Sequence, residues 1–482
     1  MSRKRNSAHP VTTFVLVSLG LFMVTLDNLV VSTALPVIRV DLGASLQQLE
    51  WTVNAYTLTY AVFLLTGAAL GDRFGRRRMF SAGILIFSVA SAGAALAPDA
   101  QVLVAARAIQ GLGAALVTPL SLTLLSEAVP DGRRGLAIGA WSGVSGLGVA
   151  MGPVVGGAIT EGISWQWIFW VNVPIGLVVG PLAARLLVES FGPDRGLDPR
   201  GLGLAIASLL PITFGVIRAS ELGWGSTTVV VSLAVGAILL LAFLIAESRA
   251  TEPMLPLRLF RSRAFSATNA ASFAMFFGIF GSIFFLSQYF ITAQGLSPLQ
   301  AGVRILPWTA MPILIAPIAG ILSDRIGARP LMSLGLALQA FAMFWVSRFA
   351  GVDTPYVDWL PAFVAAGAGM SLVFAPSANA VLSSVRPKEA GKASGATNTI
   401  RELGGVFGVS VLAAVFAAAG GYASPQDYVD GIRAALPVGG AVLVVGALIS
   451  LLIPKLTSPG QTADQGKSST ARESGPPKAS AA

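Results

Sequence analysis

Fourteen apolar runs dominate this 482-residue sequence, and each approaches the length that crosses a bilayer. A helix needs about 20 apolar residues to span the hydrocarbon core, where its backbone polar groups must pair internally. Hydrophobic residues make up 54% of the chain and charged residues only 11%, against about 25% charged residues in soluble proteins. The sequence therefore predicts an all-α integral membrane protein with fourteen transmembrane helices. Their predicted positions are near residues 12–35, 51–71, 79–97, 102–125, 137–159, 166–187, 201–219, 228–246, 266–291, 299–321, 330–348, 358–382, 397–419 and 433–453.

The net charge of +9 is distributed in a way that orients the chain in a membrane. With the N-terminus in the cytoplasm, 25 of the 32 Lys and Arg residues fall in cytoplasmic tails, loops and helix ends, four fall outside, and three fall within spans. Such an excess of basic residues is typical of cytoplasmic loops. We therefore predict a multi-pass protein of the cell membrane with both termini cytoplasmic, whose basic residues meet anionic lipid and not nucleic acid. The Ser-, Gly- and Pro-rich tail at 455–482 is expected to be disordered.

Residue types that carry enzyme chemistry are scarce in this chain. It has no cysteine, which excludes disulfides and thiolate sites, and its single histidine, His9, lies in the polar N-terminal tail. The sequence contains no phosphate-binding Walker motif. These observations argue against an enzyme, a metal site or a bound cofactor.

An internal repeat divides the chain into two halves. The segment 68–78 (AALGDRFGRRR) follows the second predicted span, and 320–329 (GILSDRIGAR) follows the tenth. Their aspartates, Asp72 and Asp324, are 324 − 72 = 252 residues apart, close to the offset between the first and ninth spans. Transporters build a central site between such repeats. The predicted organisation is a tail at 1–11, a six-helix half at 12–187, two linker helices at 188–250, a second six-helix half at 251–454 and a tail at 455–482.

These two segments resemble the G-x-L-a-D-r-x-G-r-k loop of the major facilitator superfamily, with Ala68 in place of the first glycine. The resemblance implies a charge latch that holds the halves together on the cytoplasmic side. An aspartate can accept hydrogen bonds at a helix N-terminus, and arginines can pair across helix ends. The alternative is a loop that only obeys the charge rule. The residues assigned to this latch are Asp72, Arg73, Gly75, Arg76, Asp324, Arg325 and Gly327.

A glycine-rich stretch, GVAMGPVVGG, lies at 148–157 inside the fifth predicted span. Three of its glycines are four residues apart and share one helix face, where small residues let a second helix approach closely. A proline within the helix removes a backbone donor and can bend it. The stretch resembles the G-x-x-x-G-P-x-x-G-G antiporter motif of exporters in the same superfamily, which implies outward transport; a tight structural crossing is the alternative. The motif residues are Gly148, Gly152, Pro153, Gly156 and Gly157.

Asp27 is the carboxylate that the sequence places deepest in a span, about 22 Å from the cytoplasmic edge at 1.5 Å per residue. Arg107 lies about 8 Å below the outer edge of the fourth span, so the two depths coincide in a core about 30 Å thick. A buried acid beside a movable cation changes its proton affinity when the pairing changes, which proton coupling requires. The alternatives are a fixed structural ion pair and an Arg107 that snorkels to the surface.

The sequence around these two residues resembles fourteen-helix drug:proton antiporters of the superfamily. Residues 26–36 (LDNLVVSTALP) are similar to their first-helix signature, and 103–115 matches the arginine motif of their fourth helix. Residues 165–176 are similar to their W-R-W-x-F-x-i-N-v-P-i-G segment, with Gln166 where arginine is usual, and 391–405 resembles the start of their thirteenth helix. The resemblance implies that the first-helix acid is linked to both substrate and proton.

The sequence therefore predicts a proton-coupled secondary antiporter that exports small lipophilic or cationic compounds by alternating access. Its expected partners are protons, a small-molecule substrate and the lipid bilayer, and it is expected to act as a monomer. The alternatives are an exporter of one endogenous metabolite, such as an antibiotic, peptide or siderophore, and a membrane sensor that has lost transport.

The residues that line the substrate cavity are the least determined part of this prediction. Glu127, Asp358 and Glu402 are expected at helix ends, which leaves Asp27 as the only deep acid. Because an unpaired buried charge is costly, a single deep acid predicts a preference for neutral or monovalent substrates. The candidate cavity residues are the polar groups near spans, namely Asn54, Gln110, Gln288, Tyr289 and Asn379.

Overall fold

The computed structural model describes residues 10–192, 198–251, 253, 255–386 and 389–454. Within these ranges the chain is almost entirely helical, without β-strands, and fourteen helical segments are long and apolar enough to cross a membrane. Their number and order match the predicted spans, so the all-α membrane fold is confirmed. The expectations for residues 1–9 and for the tail at 455–482 lie outside the described residues.

Sixteen α-helices in the described part of the chain build these fourteen spans, because two spans are each divided between two helices. In chain order they are α1 Pro10–Asp41, α2 Leu46–Phe74, α3 Arg76–Ala95, α4 Ala100–Ala128, α5 Arg134–Gly162, α6 Trp167–Trp170, α7 Asn172–Leu186, α8 Pro199–Leu222, α9 Thr227–Arg249, α10 Arg263–Thr292, α11 Pro298–Thr309, α12 Met311–Ile326, α13 Ala328–Phe349, α14 Leu360–Ser383, α15 Ala390–Ala419 and α16 Pro425–Ser450. We refer to the end of the bundle at which α1 begins as the predicted cytoplasmic end.

Polar side chains set the points at which several helices begin. The Ser45 and Ser297 hydroxyls each accept a hydrogen bond from the amide three residues later, and the glutamine at that position accepts one from the serine amide. Asp99 accepts hydrogen bonds from two amides in the first turn of α4. These contacts satisfy amides that a helix N-terminus leaves without helical partners.

The tenth span differs from the single helix predicted at 299–321, because it is divided into α11 and α12 around Ala310. Pro312 has no amide hydrogen, and the Ile313 amide donates to the Ala310 carbonyl at 3.1 Å instead of one turn further back. A proline in this position interrupts the regular helical hydrogen bonds and allows the helix to change direction.

Helix packing groups α1–α7 into one set and α10–α16 into another, and we call these two sets the halves. They meet along two seams, where α2 packs against α15 and α5 packs against α11 and α12. The two inserted helices, α8 and α9, pack on each other, and α8 covers one seam by contacting both α2 and α15. Since α9 is the most apolar span and only 17% of its most apolar stretch is buried, its surface suits contact with lipid.

The two charged loops of the repeat are very short connections between consecutive spans. Gly75 separates α2 from α3 and Gly327 separates α12 from α13, with φ of 104° and 86°. Residues with a Cβ rarely adopt such positive values, whereas glycine does so readily. The glycine of each loop copy is therefore required by the turn that brings its two helices together.

Glu402 lies much deeper in its helix than the sequence predicted. Because α15 begins at Ala390 and not near residue 397, Glu402 is 402 − 390 = 12 residues, or about 18 Å, from the start of the helix. It is 419 − 402 = 17 residues from the other end. The expectation that Glu402 lies at an inner helix end, and that Asp27 is the only deep acid, is therefore wrong.

Candidate functional site

Asp27 lies near the middle of α1 and is only 1% exposed. Its carboxylate forms an ion pair with Arg107 of α4 and accepts hydrogen bonds from Gln110 Nε2 at 3.2 Å and Asn172 Nδ2 at 2.9 Å. A carboxylate in a low-dielectric interior is costly unless such partners surround it. The structure therefore brings the predicted acid and arginine together, and Gln110 belongs to the same network.

Arg107 is fully buried, so its side chain does not snorkel to the surface. Its Nη1 also donates to Gln110 Oε1 at 2.9 Å, and its Nε donates to the Thr52 carbonyl at 3.1 Å. The guanidinium carbon lies 4.3 Å from the centre of the Tyr56 ring. Hydrogen bonds in two directions and a cation–π contact fix the orientation of the arginine, so that α4 presents it to α1.

Asn172 completes this network, and sequence reasoning missed its contribution. Its amide nitrogen donates to Asp27 and also to Ser91 Oγ at 3.0 Å, while Ser91 Oγ donates to the Phe169 carbonyl at 2.9 Å. The available signal was the asparagine of the segment at 165–176, a segment that resembles the antiporter family. The network thus joins α1, α4, α7 and α3 at one level of the bundle.

The antiporter-motif glycines form the contact between α5 and α1. A Cβ at position 148 would lie 3.0 Å from Thr25 Cβ, one at 152 would lie 2.7 Å from Leu29 Cβ, and one at 156 would lie 2.6 Å from the Val30 carbonyl oxygen. These contacts flank Asp27 on both sides, so α5 forms part of the support of the acid. Gly157 is also buried, and α5 continues as a helix through Pro153.

Nearer the predicted cytoplasmic end, α5 turns other glycines toward the second half of the molecule. A Cβ at Gly139 would lie 2.8 Å from Pro317 Cα, and one at Gly146 would lie 2.5 Å from Pro312 Cβ. A single helix therefore contacts α1 of its own half with one part and α12 of the other half with the next. Any movement between the halves must act on the helix that packs around Asp27.

Asp72 lies in the first charged loop, at a seam between the halves. Its Oδ1 accepts a hydrogen bond from Arg76 Nε at 2.8 Å, and Arg76 also forms an ion pair with Glu127 of α4. The carboxylate lies against Gly391 in the first turn of α15, where an added Cβ would be 2.7 Å from Asp72 Oδ2. A negative charge is favourable at a helix N-terminus, so this contact favours association of the halves.

Asp324 occupies the corresponding place in the second half. It lies against Gly135 in the first turn of α5, where an added Cβ would be 2.8 Å from Asp324 Oδ1. Asn379 Nδ2 donates to Asp324 Oδ1 at 2.6 Å and to Ser323 Oγ at 3.0 Å. The structure thus places Asn379, a candidate cavity residue, beside the second charged loop at the predicted cytoplasmic end.

The remaining candidate residues lie apart from the Asp27 network. Arg325 is exposed, and the Arg73 guanidinium carbon lies 5.2 Å from the centre of the Phe74 ring. Tyr289 is buried at the opposite end of the bundle, where its hydroxyl donates to the Gly351 carbonyl. Asn54 and Gln288 are half-buried. Within the described ranges, Gln110 is thus the one candidate cavity residue that contacts Asp27. No group of three or more His, Cys, Asp or Glu side chains is placed to hold a metal ion there either.

Fourteen apolar helical spans in the described part of the chain, with an acid–arginine pair buried among them, define a multi-pass membrane protein. The chain belongs to the Major Facilitator Superfamily, whose family profile matches residues 17–409. This is a family of transporters. The predicted family and fold are therefore confirmed.

Several curated relatives are similar over almost the whole chain. The cephamycin export protein of Amycolatopsis lactamdurans is 37% identical over 471 residues, which cover 95% of this chain and 96% of that protein. The tetracenomycin C resistance and export protein of Streptomyces glaucescens is 33% identical over 94% of this chain and 85% of its own length. The multidrug efflux pump LfrA of Mycolicibacterium smegmatis is 33% identical over 94% of this chain and 91% of its own length.

Solved structures with little sequence similarity share the fold. The proton:xylose symporter XylE superimposes with a TM-score of 0.66 at 18% identity, covering 93% of this chain and 97% of that chain. The human organic anion transporter MFSD10 gives a TM-score of 0.64 at 14% identity, covering 93% of this chain and 100% of that chain.

Proposed function

We propose that this protein is a proton-coupled antiporter that exports small lipophilic or cationic compounds by alternating access. The observation that carries the proposal is the enclosure of Asp27, which is held by Arg107, Gln110 and Asn172 near the middle of the membrane. A carboxylate in this position can bind and release one proton, and a transporter can use that reaction for proton coupling. The names of the relatives, which describe export and efflux, support the outward direction.

Proton binding at Asp27 changes the forces between α1 and α4. The charged acid attracts Arg107, and protonation removes that attraction while leaving the arginine buried. Because Gly148, Gly152 and Gly156 hold α1 directly on α5, a shift of α1 is transmitted to the helix that contacts the second half. Each proton that returns down the membrane potential supplies about 2.3 kcal/mol per 100 mV to drive the cycle.

The two charged loops hold the halves together at the predicted cytoplasmic end, so this end of the transporter is closed. Asp72 and Asp324 each lie at the first turn of a helix from the other half, so the halves are in contact at the predicted cytoplasmic end. Opening toward the cytoplasm requires both contacts to separate. We assign this end to the cytoplasm of the cell membrane, on the distribution of basic residues, and we assign the transport unit to a single chain.

The alternative within transport is an exporter dedicated to one endogenous metabolite. The cephamycin and tetracenomycin C export proteins favour it, because each is named for a single antibiotic. A toxicity panel in an efflux-deficient host that expresses the protein distinguishes a dedicated exporter from a multidrug exporter. Protection against one compound class supports a dedicated exporter, and protection against several unrelated classes supports multidrug efflux. A sensor without transport is the remaining alternative, and it predicts no proton movement in any assay.

The experiment that tests the proposal measures proton release from the purified protein in liposomes when ethidium is added. The wild-type protein is expected to release protons and to exchange them for ethidium, whereas Asp27→Asn is expected to abolish both, with expression near normal. Asp358→Asn is a matched control, because Asp358 is an exposed acid at the end of the bundle opposite the predicted cytoplasmic end, far from Asp27. Undiminished antiport in Asp27→Asn would remove the proposed coupling site.

A further inference from the structure

A cavity of about 360 Å³ lies at the end of the bundle opposite the predicted cytoplasmic end, apart from the Asp27 network. It is formed by the connection between α10 and α11, by the connection between α13 and α14, and by Arg304 of α11. Its volume falls in the range of about 300–1,000 Å³ that is usual for small-molecule sites. We call it the outer-end cavity. Its walls belong to the second half alone, so it does not require the halves to separate.

Arg304 is half-buried in the wall of the outer-end cavity, and its neighbours fix the orientation of its guanidinium. Its Nη1 donates to Gln294 Oε1 at 2.7 Å. The Gln294 Nε2 in turn donates to the Tyr289 hydroxyl and to the Thr354 carbonyl, both at 3.1 Å. The guanidinium carbon also lies 5.3 Å from the centre of the Tyr356 ring. A hydrogen-bond chain and a cation–π contact thus hold the arginine in place.

The Arg304 guanidinium retains donors that no protein group uses. It has five N–H groups, and its hydrogen bond to Gln294 is the only one that it donates within the described ranges. Its Nε and Nη2 have no partner there, and neither atom is enclosed by the protein. Arg304 also forms no salt bridge with a described carboxylate. The cavity therefore presents a planar, positively charged set of donors, which matches the geometry of a carboxylate.

Asp353 provides the opposite charge in the same cavity. It is an exposed residue of the cavity wall, and in the part of the chain that the structure describes its carboxylate has neither a hydrogen bond nor a salt bridge. Arg304 and Asp353 thus line one cavity without pairing directly. A simple anion would be attracted by one residue and repelled by the other, and so would a simple cation. A zwitterion can place each of its charges beside the opposite charge of the protein.

We propose that the outer-end cavity binds a small zwitterion of the amino-acid class, with its carboxylate on Arg304 and its ammonium group toward Asp353. The Tyr356 ring and the side chains of Leu296 and Val352 also line the cavity, and they offer apolar contacts to the rest of the ligand. Binding here is separate from the proton site assigned to Asp27, so this inference does not depend on the proposed function.

The position of the outer-end cavity relates it to the packing of the two halves. A ligand held by Arg304 and Asp353 joins the start of α11 to the connection between α13 and α14. Helix α11 packs against α5 at one of the two seams. The ligand therefore contacts a helix that borders the other half, from the side of the membrane to which the predicted topology directs export.

The test measures binding of two probes to the detergent-purified full-length protein by equilibrium dialysis at neutral pH. Phenylalanine is the zwitterion, and hydrocinnamate is the same molecule without the amino group. The wild type is expected to bind phenylalanine more tightly than hydrocinnamate. Arg304→Gln is expected to weaken the binding of both probes by about tenfold or more, because both carry the carboxylate. Asp353→Asn is expected to weaken phenylalanine binding and to leave hydrocinnamate binding equal to that of the wild type or stronger, because the repulsion of the anion is removed.

Arg348→Gln and Asp358→Asn are the matched controls, since both residues are exposed at the same end of the bundle and neither lines the cavity. Both are expected to bind the probes as the wild type does. The proposal would be overturned by a wild type that binds no phenylalanine or prefers hydrocinnamate, and by unchanged phenylalanine binding in either cavity variant. Equal weakening of both probes by Asp353→Asn would also overturn it, because this result indicates a structural contribution of Asp353. Asp353 is exposed, so this variant keeps the test decisive if Arg304→Gln does not fold.

Discussion

At the scale of single residues, the buried arginine determines what Asp27 can do. Arg107 uses its Nη1 for Asp27 and Gln110 and its Nε for the Thr52 carbonyl, so three partners are addressed by one planar group. A lysine would keep the positive charge, but its ammonium group lacks the planar set of donors with which a guanidinium binds several acceptors at fixed angles. The geometry of the donor and its charge are therefore separable by mutation.

We expect Arg107→Lys to reduce export by about tenfold or more, because each lost hydrogen bond to a charged group is worth about 1.5–3 kcal/mol. Ethidium efflux from cells, normalised to the amount of protein in the membrane, measures this. Arg348→Lys is the matched control, since Arg348 is an exposed arginine at a helix end. Wild-type efflux by Arg107→Lys would show that charge alone is sufficient at this position.

The residues of the site were accessible to sequence reasoning to different degrees. The meeting of Asp27 with Arg107 follows from helix depth, because both positions can be counted from the ends of apolar runs. Asn172 could not be assigned in the same way. It lies at the start of α7, just after the short helix α6, so its depth in the membrane cannot be counted along one continuous helix. Glu402 was misplaced because residues 390–396 (AGKASGA), which include a lysine, were left out of the apolar run, although they are helical in the structure.

At the scale of helices, the glycines of α5 lie at close contacts with other helices, as their spacing in the sequence indicated. The four-residue spacing predicted a close approach but did not identify its partner. The structure assigns α1 to the three motif glycines and α12 to the glycines nearer the start of α5. The break at Pro312 was not predicted, because prolines at 307, 312 and 317 give the same hydropathy signal and only packing selects one.

We expect Gly152→Leu and Gly156→Leu each to abolish most of the export activity. At position 152 a Cβ would already lie 2.7 Å from Leu29 Cβ, and overpacking of this kind costs about 1–3 kcal/mol in a packed interior. Gly162→Leu is the matched control, because nothing lies within 4 Å of a Cβ at the end of α5. Efflux should be measured together with thermal stability of the purified variants. Normal export by both motif variants would contradict a tight functional contact between α5 and α1.

At the scale of the whole molecule, the two charged loops and the two seams form one related system. Asp72 lies at the first turn of α15, and Asp324 lies at the first turn of α5. The same two helices carry Glu402 and the antiporter-motif glycines. Separation of the halves at the predicted cytoplasmic end therefore moves the helix that carries Glu402 and the helix that supports Asp27 together. The repeat predicted the loops, but only the folded chain relates them to the two acids.

The arrangement of the two acids also limits the charge of the exported compound. The sequence predicted a monovalent preference from a single deep acid, and the structure contains two, so the original reason is not valid. The preference is still expected, because Arg107 pairs with Asp27 and Arg401 is the charged neighbour of Glu402, so that neither acid is free to compensate a second cationic group. A second cationic group would enter the cavity unpaired, at an effective cost of several kcal/mol.

Ethidium and propidium provide the comparison, since they share one ring system and propidium carries one additional permanent positive charge. We expect ethidium to be exported faster than propidium from cells loaded with equal amounts of each dye. Faster export of propidium by the wild type would contradict this reasoning. It would require the Asp27–Arg107 pair to open during transport, so that Asp27 and Glu402 could each neutralise one charge of the same dye.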